Sequence, residues 1–599
     1  MVTEKRAAGG MWLVGATAAS EVFTPERFSD EQVMIAKTVR TFLAQEIAPL
    51  DARLEQKDLP LMREVVKKIA DLGVFAADVP VEYGGLGLDR MTGLLLAETI
   101  SRGSVSSSVG AHLTIGMLPI VFFGTDAQRR RYLPRMAAGQ WIGAYALTEP
   151  TAGSDALSLR TTAVPDADGG YRLSGTKQFI TNGGIAHVFV LYAKVEGKVT
   201  CFIVERDTPG FTVGPEEHKM GLRGSSTTSL FLDNALVSRE NVLGEIGRGH
   251  VVALNILNVG RLKLGGGCVG SAKHALRDAV AYARERRQFG RPIASFGLIK
   301  QKIAEMAIRL YLAESAVYRA GGLLDQALAG IDVAADEGGH RIARALEEYA
   351  PECGINKVLG SETLDFVVDE MVQIYGGYGF IEDYPAARAY RDARINRLYE
   401  GTNEINRLVI AGQLLRRAGT GRIPLLDAGQ RAAAELGNAT DGGRGPSRTT
   451  RIGEEGAGIL EDVLARAKTV ALACLGRAVE RLGPRLDDHQ EVLGWLSDQI
   501  IEVFAVESGV LRARQGAGSH RGGLMLGIAR DTAGELGPRI EQLAIRVLTA
   551  VEDGSVLDRD LAGLRAMLQA RPQNTMAARR AIADQVLDAG GYALGLPSG

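Results

Sequence analysis

The residue best suited to acid–base chemistry is Glu400, which stands in the run Tyr399–Asn403 (Tyr-Glu-Gly-Thr-Asn). The glycine that follows it leaves room for a substrate to approach the backbone closely. In an apolar pocket, loss of hydration would raise the pKa of this carboxyl group and make it an effective general base. The alternative is an acid near the start of a helix, where the helix dipole favours negative charge. The sequence alone leaves both interpretations open.

Two further runs place hydroxyl groups at the end of a predicted strand. Tyr145–Asp155 passes from a strand into a turn rich in Pro, Gly and Ser, whose hydroxyls and N–H groups suit an anionic or polar heterocyclic ligand. Phe179–Gly184 ends a strand with an aromatic ring and a hydroxyl, at an Asn182-Gly183 turn resembling type I′. An ordinary turn and a plain hairpin are the respective alternatives.

A fourth candidate site pairs Arg284–Gly290 with Gln373–Phe380. The arginines of the first run are suited to a pyrophosphate, and the glycines of the second allow a cofactor to approach the backbone. These glycines do not form the dinucleotide fingerprint of a nicotinamide enzyme, because no βαβ pattern surrounds them. For Arg286 the alternative is a solvated helix position.

Several other kinds of catalytic machinery are missing from the sequence. The eight histidines have no metal-ligand spacing, so we predict no metal site. Neither a G-x-S-x-G elbow nor a Walker loop occurs, which argues against the common hydrolase and ATPase types. The four cysteines are far apart, which argues against a zinc ribbon or a disulfide framework.

The overall composition is that of a large globular protein. The chain has 599 residues, of which 46% are hydrophobic and 23% charged, and its formal charge is −2. This balance gives no reason to expect nucleic acid as a partner. We find no uninterrupted apolar run of the roughly 18 residues that a spanning helix needs. The short apolar run Met11–Ala19 is not expected to be a signal peptide, so we expect a cytoplasmic protein.

The element patterns predict an α+β protein. Helical periodicity begins with a capping box at Ser29 and Gln32, and short segments rich in β-branched and aromatic residues interrupt it. The expected parts are an N-terminal helical domain (23–140), a central β domain (141–246), a second helical bundle (247–418), a linker (419–456) and an extra helical domain (457–599). Helices are expected from about Asp427 to Leu436 within the linker, and then over Ile459–Leu482, Glu491–Gln515 and Ile540–Val551.

The order of the four motifs on this helix–strand–helix frame closely resembles the acyl-CoA dehydrogenase flavoenzymes, over roughly Phe23–Ala418. The C-terminal extension is similar to that of the very-long-chain branch and its large bacterial relatives. The resemblance implies the family fold: an N-terminal helical bundle, a small central β-barrel or sandwich and a C-terminal four-helix bundle, here with an extra all-α domain. It also implies FAD as cofactor and a site shared between the subunits of a homodimer.

The resemblance assigns the cofactor contacts residue by residue. The hydroxyl-rich turn matches positions that line the flavin and its pyrophosphate. The second run supplies an aromatic ring against the flavin and a hydroxyl near its N5 atom. The arginine run and the glycine run match contacts to the FAD of the neighbouring subunit. The cofactor residues implied are Tyr145, Leu147, Thr148, Gly153, Ser154, Phe179, Thr181, Arg286, Gln288, Phe289, Gln373, Gly377, Thr402 and Glu404, the last replacing an amide or aspartate of many relatives.

By the same resemblance Glu400 is the catalytic base. It would remove the pro-R α-proton of an acyl thioester while the β-hydride passes to flavin N5, giving a trans-2-enoyl-CoA. Some branches carry the base on the helix that here contains Gly260, a residue without a side chain. The substrate contacts implied are Ser154, Asn258, Arg261 and Gly401.

Substrate length is a further expectation. The small residues of Gly103–Ala111 would line the acyl tail and leave a deep pocket for a long chain. Enlarging Ser108 or Ala111 should then impair turnover of long chains more than that of short ones.

The resemblance also implies partners and a pathway. We expect electron-transfer flavoprotein as the acceptor, in fatty acid β-oxidation, and a homodimer with at most peripheral association with the inner membrane. One alternative is an acyl-CoA oxidase, which passes electrons directly to oxygen. The other is a non-catalytic assembly factor on the same scaffold, against which the retained Glu400 and the complete flavin set argue.

Overall fold

The computed structural model describes residues 8–167, 169–335, 337–439, 457–568 and 574–596. Its N-terminal part is helical. The predicted capping box is confirmed, since Ser29 Oγ accepts the Gln32 N–H (3.2 Å) and Gln32 Oε1 accepts the Ser29 N–H (3.0 Å). The helices are α1 (Met11–Val14), α2 (Asp30–Phe42), α3 (Asp51–Glu55), α4 (Leu59–Asp71), α5 (Arg90–Thr99), α6 (Gly103–Gly110), α7 (Leu118–Phe123) and α8 (Asp126–Ala137).

The stretch Gly103–Phe123 is apolar along its whole length. It consists of α6, the π-helical segment Ala111–Gly116 and α7. By length and composition it could cross a membrane, with a mean hydropathy of 1.5, and it is the one such stretch in the described ranges. However, 78% of its most apolar window is buried inside the protein, as a core helix would be. This stretch was not predicted, because serines, a histidine and a threonine interrupt the apolar run.

The central part is β-rich, as the pattern predicts, and its strands form one eight-stranded sheet. The strands follow the order β6-β7-β3-β2-β4-β5-β8, and β1 pairs with β4 in parallel. The central strands β4 and β5 are almost wholly buried, because both of their faces carry apolar residues. Their bounds are β1 (Gly143–Ala146), β2 (Thr162–Pro165), β3 (Tyr171–Thr181), β4 (Val188–Val195), β5 (Lys198–Glu205), β6 (Phe211–Glu216), β7 (Thr227–Val237) and β8 (Val242–Leu243).

The hairpin interpretation of the Asn182-Gly183 turn is wrong. β3 pairs with β2 and β7, whereas the next strand along the chain, β4, lies elsewhere in the sheet. Asn182 has a φ of 65°, but Gly183 is not among the described residues with positive φ, which a type I′ turn would require of both. The Asn182 side chain is buried instead, and its Nδ2 donates to the Ser108 carbonyl (2.8 Å). This contact ties the end of β3 to α6.

The second helical part contains two long helices that pack closely. A Cβ on Gly265 would lie 2.9 Å from the Asn356 carbonyl oxygen, and one on Gly360 would lie 3.0 Å from Gly265 Cα. Glycines therefore set the contact between α9 and α12, named below. The elements are α9 (Gly249–Glu285), a short hairpin of β9 (Arg287–Gln288) and β10 (Arg291–Pro292), α10 (Gly297–Leu328), α11 (Gly338–Glu348), α12 (Ala350–Tyr375), α13 (Pro385–Ala393) and α14 (Asn403–Gly419).

The added C-terminal part is helical, as expected, but its details differ, and its last two helices, Gly554–Leu568 and Met576–Ala589, were not predicted. The short helix begins at Leu425, so Asp427 lies in its first turn and Pro424 occupies the N-cap position. The predicted helix Ile540–Val551 begins much earlier, at Gly522, and it contains Pro538. The elements are α15 (Leu425–Asn438), α16 (Ala457–Leu482), α17 (Gln490–Gln515), α18 (Gly522–Val551), α19 (Gly554–Leu568) and α20 (Met576–Ala589).

The predicted linker 419–456 is only partly described. α14 extends to Gly419, and α15 packs on α16 with a Cβ on Gly429 lying 3.2 Å from Gly476 Cα. The Gly- and Arg-rich run 441–448 lies outside the described residues.

Candidate active site

Glu400 is held in a strained turn immediately before α14. Its φ is 57° and that of Gly401 is 81°, so two successive residues adopt the left-handed conformation. The buried Asn406 amide stabilises the turn by donating to the carbonyls of Gly401 (2.8 Å) and Thr402 (3.0 Å). Thr402 Oγ1 in turn accepts the Ile405 N–H (3.2 Å) and caps α14. The turn therefore fixes the direction of the Glu400 side chain.

Glu400 is half-buried: it lines a cavity, described below, but its Oε2 atom is shielded from water. Its Oε2 atom has no hydrogen-bond partner among the described residues. Burial raises the pKa of Glu400 from 4.5 to about 7, although Arg261 and Lys357 oppose the shift. A carboxyl group with such a pKa exchanges a proton near neutral pH, as a general base must. This favours the general-base interpretation over that of a simple helix-start acid.

Gly260, opposite Glu400 on α9, makes room for the carboxyl group. A Cβ at this position would lie 2.6 Å from Glu400 Oε2, closer than any real contact. A side chain on residue 260 and Glu400 in its present position therefore exclude one another.

The predicted substrate contacts Asn258 and Arg261 are buried and face the base. Arg261 Nε donates to the Glu400 carbonyl (3.2 Å), and its Nη1 donates to Asn258 Oδ1 (3.0 Å). Burial lowers the pKa of Arg261, and the nearby Glu400 partly offsets this effect. In this structure both side chains support the backbone of the Glu400 turn, and Gly401 is part of that turn.

Glu400 lies on the wall of a cavity of about 710 Å³. One face of α9 forms a long side of this cavity, from Gly260 to Asp278. At 1.5 Å per residue this face is about 27 Å long. Thr181, one of the predicted flavin contacts, also lines the cavity. The base therefore faces a space as large as those that hold small-molecule ligands.

The stretch Gly103–Ala111 lines this cavity, but not through Ser108. Ser107, Gly110 and Ala111 are among the lining residues. Ser108 is 1% exposed and lies on the opposite face of α6, where its carbonyl accepts the Asn182 amide. The expectation for Ala111 stands, whereas that for Ser108 is wrong because the helical period places it away from the cavity.

The two hydroxyl-bearing runs lie side by side. The Gln178 N–H donates to the Thr148 carbonyl (2.9 Å) and joins them. Tyr145 and Leu147 are largely buried, and the Tyr145 hydroxyl has no hydrogen-bond partner in the described part of the chain. Phe179, by contrast, is 59% exposed. Together these residues leave an open, partly apolar surface beside the cavity.

The turn after β1 is also open to a ligand. A Cβ on Gly153 would meet nothing within 4 Å, and Ser154 is exposed beside it. Glu404, on the first turn of α14, has a lowered pKa because its carboxyl group accepts from its own N–H and from Thr402.

The remaining predicted cofactor residues form a separate cluster, and none of them lines the cavity with Glu400. Arg286 Cζ lies 5.4 Å from the centre of the Tyr378 ring, which brings the arginine run and the glycine run together. Phe289, on the β9–β10 hairpin, is 92% exposed with a φ of 52°. A Cβ on Gly377 would meet nothing within 4 Å. The members of this cluster are Arg286, Gln288, Phe289, Gln373 and Gly377.

Sequence reasoning missed a set of buried polar residues behind the base. Lys357 and Ser361 lie on α12, and Asn403 begins α14. Lys357 Nζ donates to Asn403 Oδ1 (2.7 Å), and burial lowers the pKa of Lys357 to about 8. The available signal was the single basic residue of α12, but only tertiary packing shows which site it faces. No group of three or more potential metal ligands occurs in the described ranges.

Family models cover most of the chain. The model described as acyl-CoA dehydrogenase, N-terminal domain, matches residues 29–140, and that of the middle domain matches residues 144–235. Two models described as acyl-CoA dehydrogenase, C-terminal domain, match residues 247–415 and 466–566.

Individual relatives share the same architecture. A probable acyl-CoA dehydrogenase of Bacillus subtilis is 44% identical over 593 residues, covering 98% of this chain and 98% of its own length. The human mitochondrial very long-chain specific acyl-CoA dehydrogenase is 34% identical over 527 residues, covering 82% of this chain and 76% of its own. A crystal structure of an acyl-CoA dehydrogenase complexed with FAD from Bacillus anthracis is 43% identical, with a TM-score of 0.93 over 98% of this chain and 100% of that one.

Proposed function

Because this chain belongs to the acyl-CoA dehydrogenase family of flavin-dependent oxidoreductases, we propose that it oxidises an acyl-CoA thioester to the trans-2-enoyl-CoA, with Glu400 as the base. The observation that carries the proposal is the Glu400 carboxyl group, half-buried at the wall of a large cavity with one oxygen atom unpaired. A retained base argues against a non-catalytic scaffold.

The residues beside the cavity fit FAD. The exposed Phe179 ring offers a surface for the flavin, and Thr181, two residues further on, lines the cavity. Gly153 has open space where a side chain would otherwise stand, and the Tyr145 hydroxyl lacks a partner among the described residues. When bound, FAD supplies the acceptor for the hydride that leaves the β-carbon.

The chain itself supplies the proton acceptor and a hydrogen-bond donor. Glu400 lines the cavity, so its carboxylate can take the α-proton of a bound substrate, and the pKa of about 7 leaves a large fraction of the carboxyl group ionised at neutral pH. The Glu400 N–H donates no hydrogen bond within the part of the chain that is described. It can therefore stabilise negative charge on the thioester carbonyl as the α-proton leaves.

The cavity supports a long acyl chain as substrate. It follows α9 for about 27 Å from the base, and the small residues Ser107, Gly110 and Ala111 keep it open on the α6 side. We propose long-chain acyl-CoA as the substrate class and fatty acid β-oxidation as the pathway.

We also propose a homodimer that passes its electrons to electron-transfer flavoprotein. The exposed hairpin with Phe289 does not line the cavity of its own chain, and Phe380, in the glycine run, is 88% exposed. Such a surface favours contact with a second copy, whose flavin site it would complete. A cytoplasmic location, with at most peripheral membrane contact, remains part of the proposal.

The test is anaerobic mixing of the purified holoprotein with palmitoyl-, butyryl- or isovaleryl-CoA while flavin absorbance is followed. Palmitoyl-CoA should bleach the flavin rapidly, and Glu400→Gln should abolish the bleaching. Bound flavin that none of the thioesters bleaches would refute the proposed substrates. Protein that neither contains nor takes up FAD would instead favour the scaffold alternative.

A second measurement separates the dehydrogenase from an oxidase. The reduced protein should transfer its electrons to electron-transfer flavoprotein and react slowly with oxygen. Rapid oxygen consumption with formation of peroxide would identify an acyl-CoA oxidase.

A further inference from the structure

A chain of polar contacts runs from the added C-terminal helices to the turn that carries Glu400. It begins at Asp498 on α17, whose Oδ1 accepts from Arg407 Nε (2.7 Å) on α14. The adjacent Ser497 hydroxyl donates to the Arg407 carbonyl (2.6 Å). α17 therefore holds both the backbone and the side chain of Arg407.

Arg407 also contacts α12, and it therefore connects α17 to that helix. Its Nη1 lies 2.9 Å from Glu362 Oε1, and its Nη2 lies 3.2 Å from Glu362 Oε2, in the two-pronged geometry that arginine and carboxylate prefer. Glu362 Oε1 also accepts from Asn403 Nδ2 (3.0 Å). The carboxylate thus connects the guanidinium group to the first residue of α14.

Asn403 is bonded at both ends of its amide, three residues beyond Glu400. Its Oδ1 accepts Lys357 Nζ (2.7 Å), and its Nδ2 donates to Ser361 Oγ (3.1 Å) as well as to Glu362. A planar amide with partners on both sides cannot rotate without breaking several bonds. Asn403 consequently fixes where α14 starts and how the strained turn before it is oriented.

Lys357 ends the chain with an unneutralised charge. Its side chain is fully buried and forms no ion pair in the described residues. Burying an ammonium group without a carboxylate partner costs folding free energy, so the presence of Lys357 here needs a functional explanation. The ammonium group is bound to Asn403, three residues beyond Glu400, and its charge favours the ionised form of Glu400.

We propose that Lys357 and Asp498 are positioning residues for Glu400, Lys357 through its charge and Asp498, from the added helices, through Arg407, Glu362 and Asn403. The inference rests on the proposed function, in which Glu400 is the base. It gives the added helices a role in catalysis, which packing alone would not require.

The electrostatic part concerns every charged or titratable group around the base. Arg261 faces Glu400 from α9, Lys357 from α12 and Tyr145 from β1, and Tyr399 precedes it in the chain. Replacing Lys357 by Met removes one of the two cations that favour the carboxylate. The pH at which kcat/KM reaches half its maximum should rise by about one unit.

The mechanical part is tested with Asp498→Asn, which keeps the shape of the side chain but removes its charge. In the holoprotein, amide hydrogen exchange over 399–406 should become about tenfold faster. The limiting rate of flavin reduction should fall while the KM for palmitoyl-CoA stays unchanged. Glu502→Gln is the matched control, since Glu502 lies on the same helix but pairs with Arg539 of α18 (3.3 Å).

The outcomes are distinguishable. If the amide hydrogens of 399–406 exchange at the parental rate in Asp498→Asn, the mechanical link is refuted. If the pH profile of Lys357→Met is not shifted, the electrostatic link is refuted. If Lys357→Met does not fold, Glu362→Gln tests the same series of contacts, with the pH profile and the amide exchange rate as the two measurements. If parental holoprotein is not reduced by palmitoyl-CoA at all, the proposed function fails, whereas the exchange measurement still decides the link between Asp498 and the turn.

Discussion

Among the regions of this molecule that bury charged side chains, two neutralise them to very different degrees. The junction cluster, formed by Arg512, Glu314, Lys273, Glu98 and Glu26, joins the added helices to the rest of the chain. The base pocket, formed by Glu400, Arg261 and Lys357, lies beside the cavity.

Every charge in the junction cluster is paired. Arg512 contacts Glu314 at 2.5 Å and Glu26 at 2.7 Å, and Lys273 contacts both Glu98 (2.5 Å) and Glu314. Burial alone would raise the pKa of Glu314, but Lys273 and Arg512 hold it below its usual value. In the base pocket, Glu400 has a raised pKa and an unpaired oxygen atom. Buried charge by itself is therefore no sign of catalysis; Glu400 is distinguished because its raised pKa and unpaired oxygen occur in a residue that lines a large cavity.

The largest expected effect comes from breaking the paired region. Glu314→Gln would leave Arg512 and Lys273 short of a counter-charge in the interior, and should cost about 3–5 kcal/mol of unfolding free energy. The check is the urea midpoint of the holoprotein, with the exposed Glu435→Gln as control. Flavin reduction by the protein that remains folded should be unchanged. A midpoint equal to that of the control would mean that the cluster contributes little to stability.

The same substitution in the base pocket should act in the opposite direction. An unfolded glutamate ionises above about pH 4.5, whereas folded Glu400 keeps its proton up to about pH 7. Its ionisation therefore destabilises the folded state as pH rises through this window, by about 3 kcal/mol once complete. Glu400→Gln cannot ionise, so it should be more stable than the parent at about pH 8.5 and close to it at about pH 5.

Thermal unfolding of Glu400→Gln and of the parent at those two pH values measures this difference. A variant that is less stable than the parent at both would show that the Glu400 carboxylate is well solvated or paired in solution. The contrast between the two regions would then fail.

Activity should follow the ionisation of the same group. Below about pH 7, kcat/KM should fall about tenfold for each pH unit, and above it should level off, because only the carboxylate accepts the α-proton. The check is the pH dependence of flavin reduction at low palmitoyl-CoA concentration. A profile that is flat between about pH 5 and 8 would place the pKa of the base near that of an ordinary glutamate.

Local patterns in the sequence predicted much of the fold. The capping box at Ser29, the β-rich middle and the long amphipathic helices depend on near neighbours, which a sequence displays directly. The strands β2, β6 and β8 escaped prediction because they are short or lie at the edges of the sheet. The first half of α18 escaped because glycines and Pro538 conceal a helix that tertiary packing stabilises.

Sequence motifs identified individual residues of the site, but not their arrangement in space. Glu400 and the hydroxyl-bearing runs were found as residues, but the positions of side chains around them were not. Ser108 was assigned to the wrong face of its helix because one residue changes the direction of a side chain by about 100°. Lys357 and Asp498 are far from Glu400 in sequence, and three-dimensional packing alone brings them into one chain of contacts.

The smallest expected effect concerns the cavity that distinguishes the base pocket from the closed junction cluster. A Cβ on Gly110 would meet nothing within 4 Å, and the residue lines the cavity, so Gly110→Leu places an apolar side chain where an acyl tail would lie. Reduction of the flavin by palmitoyl-CoA should fall about tenfold, with little change for butyryl-CoA. The leucine side chain would fill space for a few methylene groups, which a long acyl chain needs and a short one does not. Gly412→Leu is the control, since it adds the same side chain to a helix at another position with open space. Equal losses with both thioesters in Gly110→Leu would mean that this face of the cavity does not hold the acyl tail, and the proposed preference for long chains would lose its structural basis.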